Sequence, residues 1–170
     1  MPVHEAQIEE ARAVVRGFTL LAAGTGAVPV PGASAAILVE NAVMFGVVGG
    51  TLGVPVTVES VLASLGVFGC LNAAGRQLFM EGARLMRWAS GPLGLPGLCA
   101  WGAATAAGQT WALGQLAIAI AIARNGGVPL PTTATQQVLK NGLSDYASHA
   151  WRAGRVVRPR WHARSMVMPA

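Results

Sequence analysis

Charge is what this 170-residue chain has least of: Asp, Glu, Lys and Arg together make up 11% of it, against roughly 25% in an ordinary soluble domain. A chain so short of charge lacks the polar surface that a freely soluble fold of this length needs. Lysine is almost missing, with Lys140 alone among the basic residues and arginine supplying the rest, a bias that points to a GC-rich bacterial genome rather than to chemistry. Two cysteines, Cys70 and Cys99, lie in apolar segments with no Cys or His at metal-ligand spacing, which argues against a disulfide scaffold or a zinc site and reads them as small buried hydrophobes. There is no Gly-x-x-x-x-Gly-Lys-Ser/Thr loop, since Lys140 precedes Asn141 and Gly142, so the backbone cradle for nucleotide phosphates is lacking. His4, His149 and His162 are far apart in terminal segments, and no nucleophile, base and orienting acid recur at useful spacing. The composition therefore predicts no metal, no cofactor and no enzymatic activity. The start, "MPVHEAQIEEARAVVRG", carries three glutamates ahead of its apolar run, where a cleavable signal peptide would begin basic, so a secreted product is disfavoured.

What the chain has in abundance is small apolar residues. It is 53% hydrophobic with 22 Gly and 10 Pro, and its length suits one domain. Uncharged windows run over residues 17–39, 41–58, 60–75 and 88–123. A transmembrane helix needs about 20 mostly apolar residues and tolerates Gly and Pro better than a soluble one; Gly97 to Ala123 is the one uninterrupted window. The pattern predicts an all-α fold of about five Ala/Gly-rich helices: His4–Ala27, Gly32–Gly53, Thr57 to about Ser90, Leu98–Ala123, and Thr132 to about Gly154 with Thr132 or Thr133 as N-cap. The apolar helices are expected to form hairpins at or in a membrane. Between the first two, "GAVPVPGAS" breaks the chain at Pro29, Pro31 and Gly32. Prolines bring no backbone N–H, so such an elbow is cheap to bury and is expected to be buried in protein or membrane, with the two helices beside it packed as a hairpin or a shallow re-entrant pair.

Small residues recur at four-residue spacing in Gly46/Gly50, Gly49/Gly53, Gly66/Cys70/Ala74 and Ala100/Ala104/Gly108, a pattern that predicts close helix approach along those stripes. Glu40 and Asn41 interrupt an otherwise apolar helix. At membrane depth such groups are paired or functional; the simpler expectation for Glu40 is structural, with the side chain at the bilayer surface, protonated, or bonded across to a neighbouring helix. Glu59, beside the "GVPVT" turn, reads as a first-turn acid favoured by the helix dipole.

The runs "AAGTGAVPVPGASAAILVENAVMFGVVGGTLGV" and "GLPGLCAWGAATAAGQTWALGQLAIAIAIARNGG" resemble the bacterial YcjF-like, GTPase-associated membrane domain family, domain of unknown function 697. The resemblance covers roughly residues 17–130. It rests on a Pro-x-Pro turn that opens a helix, here Pro29 and Pro31, and on Leu95, Pro96 and Gly97 ahead of an Ala-rich helix bearing Thr110 and Gly114. It implies a membrane or partner module standing alone, with any GTP hydrolysis in a separate protein. Relatives often carry an acid just after the Pro-x-Pro turn, where this chain has Ser34, so the role of that acid does not carry over.

The last 20 residues stand apart from a domain over residues 1–150. Arg152, Arg155, Arg158, Arg160 and Arg164 carry the whole net charge of +5, with no acid among them and with Trp151 and Trp161 interleaved. Arginines mixed with tryptophans suit an anionic bilayer surface, each cation contributing about 1 kcal/mol there; an acidic protein partner is the alternative. Nucleic acid also takes arginine and aromatics but is disfavoured, because the preceding residues already look membrane-bound. The expected partners are membrane lipids and a protein partner or a second copy. Three functions remain open: a non-enzymatic membrane protein that anchors, recruits or organises a partner complex, a structural subunit of a larger membrane assembly, and a pore or channel component. The expected location is the bacterial inner membrane with the C-terminus cytoplasmic.

Overall fold

The computed structural model describes residues 5–28, 30, 32–64, 81, 85 and 95–156. The described residues form five helices and no strand: α1 (Glu5–Ala27), α2 (Ala33–Thr51), α3 (helical over 58–64, with 81 and 85 helical as well), α4 (Leu95–Asn125) and α5 (Thr132–Val156). The all-α expectation is met, with boundaries displaced by a few residues.

Local chemistry explains most of the ends. Past α2, Gly53 takes a left-handed φ of 67°; the Val54 N–H then reaches the Gly49 carbonyl at 2.9 Å and the Gly53 N–H reaches Gly50 at 3.2 Å. That is a Schellman stop. Gly53 therefore caps the helix and does not pack against a neighbour. α3 opens with a reciprocal box: the Thr57 N–H donates to Ser60 Oγ at 3.1 Å and the Ser60 N–H to Thr57 Oγ1 at 3.3 Å, satisfying two donors that a helix start leaves open. α4 begins at Leu95, three residues before the expected Leu98, because Pro96 is tolerated in a first turn, where its missing N–H would be unpaired anyway. In α5 the first acceptor is the Pro131 carbonyl, bonded by the Thr135 N–H at 2.9 Å. The N-cap position is thus Pro131, not Thr132 or Thr133.

α4 is the central element. α1, α2 and α5 all pack on it, and α1 and α2 also pack on each other as a hairpin. A Cβ placed on Gly26 would lie 2.5 Å from the Gly102 carbonyl oxygen and from Ala106 Cβ, and one on Gly114 would meet the Val15 side chain. α1 and α4 are therefore antiparallel and closely apposed. Gly142 meets Ala112 Cα at 3.1 Å and Gly108 meets the Tyr146 ring at 3.1 Å, which makes α5 antiparallel to α4. The main core gathers Ala11, Val15, Met44, Phe45, Val48, Leu116 and Ala117, among others. A second, small cluster holds Ala22, Ile37 and Ala106.

The small-residue stripes are largely corrected by this packing. Gly46 and Gly50 have open space where a Cβ would be, Ala100 and Ala104 are exposed, and Gly49 faces the turn backbone of Val54 and Val56. Gly108 is the one member of these stripes, among the described residues, that receives another helix. The close approaches on α4 run instead along Gly102, Ala106, Thr110 and Gly114, a stripe offset by two residues. Gly66, Cys70 and Ala74 lie outside the described residues, and Cys99 is half-buried with a free thiol.

Candidate membrane-facing surface and its polar interruptions

Two helices are long and apolar enough to cross a membrane, α2 over Ala33–Thr51 and α4 over Cys99–Asn125. They differ in how much of them the protein itself covers: 61% of the α4 window is buried against 44% of the α2 window. α4, which holds the uninterrupted sequence window, is the core helix of the bundle. The helix that presents an apolar face outward is α2.

On α2, Ile37, Asn41, Met44, Phe45, Val48 and Gly49 turn inward. Leu38, Val39, Val43 and Val47 turn outward, Val39 with 64% of its surface exposed, and the exposed positions between them are Ala35, Ala36, Gly46 and Gly50. A helix apolar all round belongs inside a larger hydrophobic medium. The exposed apolar surface continues onto Leu20 and Leu21 of α1, Val28 and Val30 of the elbow, and Trp101 of α4. At 1.5 Å per residue the 19 residues of α2 extend about 28 Å, close to the ~30 Å hydrocarbon thickness of a bilayer. The opposite flank is polar. Glu5, Glu9, Glu10, Arg12 and Arg16 are exposed on the first half of α1, with Arg12 and Glu9 paired, and α5 shows Gln136, Gln137, Lys140, Asn141, Ser144 and Asp145.

Glu40 and Asn41 sit mid-way along α2. Thr25 Oγ1 on α1 donates to Glu40 Oε1 at 2.5 Å, so Glu40 is bonded across the hairpin, one of the three arrangements expected of it. Its Oε2 is buried with no partner. Asn41 is 2% exposed, and neither its amide nitrogen nor its oxygen has a hydrogen-bond partner. Helical register places two more polar residues in its layer. Asn41 lies one turn past Ile37 on the inward face of α2; Thr110 lies one turn past Ala106 on α4; Thr19 lies one turn before Ala22 on α1, and Ile37, Ala106 and Ala22 share one cluster. Thr110 is fully buried with an unpaired hydroxyl, while Thr19 bonds the Val15 carbonyl of its own helix at 2.8 Å. This polar layer is why the apolar core divides into two clusters. Thr19 carries no sequence signal beyond its place in the 3.6-residue period, and Thr110 stands out only as part of the motif that carries the family resemblance.

At the elbow, Pro29 and Pro31 lie outside the described residues, and Val28, Val30 and Gly32 around them are exposed. Gly32 has φ 88° as the N-cap of α2. The N–H groups of Gly32 and Ser34 donate to the two oxygens of Glu81, at 3.2 and 3.1 Å. A carboxylate at a helix N-terminus is favoured by the unpaired N–H groups and the dipole. Ser34 holds the position after the Pro-x-Pro turn, and the acid at this helix start comes from Glu81, far along the chain. Contacts between residues 49 and 47 positions apart leave no local trace in the sequence.

The remaining sites lie at the edges. Trp151, Arg152 and Arg155 fall within α5, which continues to Val156. Arg158, Arg160, Trp161 and Arg164 lie outside the described residues. Glu59 stands in the first turn of α3, where the Thr57 hydroxyl and then its own backbone N–H hold its carboxyl below the usual range. The described residues contain no group of three His, Cys, Asp or Glu able to hold a metal. No family model, curated protein or solved structure matches the chain.

Proposed function

We propose that this protein is a non-enzymatic membrane anchor that presents a helical and basic surface to a partner complex. The observation that carries the reading is the outward face of α2, apolar from Ala35 to Gly50 with no charge on it. In water such a face is a large exposed apolar patch, the mark of a membrane or protein contact. In a bilayer it needs no cover, and the exposed Val28 and Val30 of the elbow extend the same surface. The inward turn of Asn41 and the Thr25–Glu40 bond keep polar groups off it. The polar flank of α5 then stays in water, with the arginine- and tryptophan-bearing end beyond it at the headgroups of anionic lipid or on an acidic partner.

In this reading the membrane is a bacterial inner membrane and the C-terminus is cytoplasmic, since basic residues near membrane ends are retained on that side. The partner is a protein complex, which the resemblance to the YcjF-like family makes a GTPase-linked one, or a second copy of this chain. Carbonate washing of membranes from cells expressing the full chain tests the reading. The protein should stay in the pellet, and recovery of a monodisperse protein without detergent would overturn it.

A further inference from the structure

Between α1 and α5, with α4 as its floor, runs a cleft of about 340 Å³ lined by Arg16, Thr19, Leu20, Trp111, Tyr146 and His149. The volume lies within the roughly 300–1,000 Å³ common for small-molecule sites, which are mostly apolar with a few placed polar groups. Leu20 and the Trp111 and Tyr146 rings make this lining apolar. Its polar groups are unusually specific. Trp111 Nε1–H is buried and donates to nothing, although a buried indole N–H normally finds an acceptor. Arg16 makes no ion pair among the described residues, and no carboxylate lines the cleft. Thr19 has turned its hydroxyl back onto the Val15 carbonyl, and His149 Nδ1–H is donated to the Asp145 carbonyl at 2.8 Å, so neither competes for a ligand's charge.

We propose that this cleft binds a long-chain fatty acid. The carboxylate meets the Arg16 guanidinium, and the acyl chain lies along Leu20 and the Trp111 and Tyr146 rings. One cation with no neighbouring acid matches a head of one negative charge, and the planar guanidinium fork fits a carboxylate in a bidentate manner. Among the described residues the cleft is lined from α1, α4 and α5, with no residue of α2 taking part.

The test uses the full chain in phosphatidylcholine nanodiscs with radiolabelled palmitate as probe. Saturable binding near one equivalent is expected. Arg16→Gln should weaken it about tenfold or more, the worth of a charge-assisted hydrogen bond. Trp111→Phe, which keeps a ring in the lining and removes only the enclosed indole N–H, should bind as the wild type does. Hexadecanol, which has the chain without the charge, should bind weakly and be indifferent to Arg16→Gln. Equal palmitate binding by the wild type and Arg16→Gln overturns the proposal, as does hexadecanol binding as tightly as palmitate. Displacement by phosphatidylglycerol at concentrations equal to palmitate would assign the site to a phospholipid headgroup and overturn the fatty-acid assignment. Retained helical circular dichroism in both variants shows that a loss of binding is not a loss of fold.

Discussion

Asn41 is the residue least explained by packing. It occupies a core position of α2 with both polar atoms unpaired, and leaving such a group unsatisfied typically costs about 1–3 kcal/mol. If the amide is only an interruption of the core, Asn41→Leu, similar in size and apolar, should raise stability by roughly that amount, read as a shift in the unfolding midpoint in mild detergent. A fall in stability would show that the amide is engaged by water or a bound molecule in the native protein. Tyr146 offers a second readout, because it is the chain's single tyrosine and its ultraviolet titration reports one group. Burial against α4 raises its phenol pKa above the ordinary value of about 10. The sign follows: its contribution to stability is full below the unfolded value and is lost as pH rises through the raised one. The native protein should therefore ionise at a higher pH than the unfolded chain, and coincident titrations would contradict the burial.

Among the helices, the same residue type takes opposite roles according to which face it occupies. Gly26 touches the backbone of α4, so Gly26→Ala must push two helices apart and should lose roughly 1–3 kcal/mol. Gly46 has open space around its missing Cβ, so Gly46→Ala in a helix interior should gain about 0.5–1 kcal/mol. Paired unfolding curves in one detergent check both. Should Gly46→Ala instead destabilise a cross-linkable oligomer, that face packs on a second copy. The stripe at Gly46 and Gly50 was visible in the sequence, but its direction was not. A four-residue period states that small residues share a face, and only the angular position of the helix in the bundle states what that face meets.

For the molecule as a whole, the division is between an apolar surface on α2 and a charge excess confined to the C-terminal end. α5 continues to Val156, so the cut that spares it removes residues 157–170 and with them Arg158, Arg160, Trp161 and Arg164. The truncated protein should keep its helical content and its membrane retention. It should lose the salt-sensitive part of its binding to vesicles containing anionic lipid, because charge contacts are screened over a Debye length of about 8 Å at physiological ionic strength. Unchanged binding in flotation assays at low and high salt would show that the tail does not contribute through charge.

The helical class, the helix order and the breaks at Gly53 and Gly127 were legible in the chain, because periodicity, glycine and proline act within a few residues of where they stand. The bond that Glu40 makes was one of several arrangements the chain allowed, and the packing of Thr25 beside it decided among them. Tertiary structure decided which apolar helix faces outward. The longest uncharged run became the core helix α4, while the shorter α2 carries the exposed face, and hydropathy cannot separate these cases because burial in protein and burial in lipid remove the same water. It also decided that Glu81 caps α2, that Thr110 shares a layer with Asn41, and that Arg16, Trp111 and Tyr146 line one cleft. Each of these joins residues from different helices, and the antiparallel register that brings them together is set by glycine contacts such as Gly26 on Gly102 and Gly114 on Val15, which no local pattern encodes.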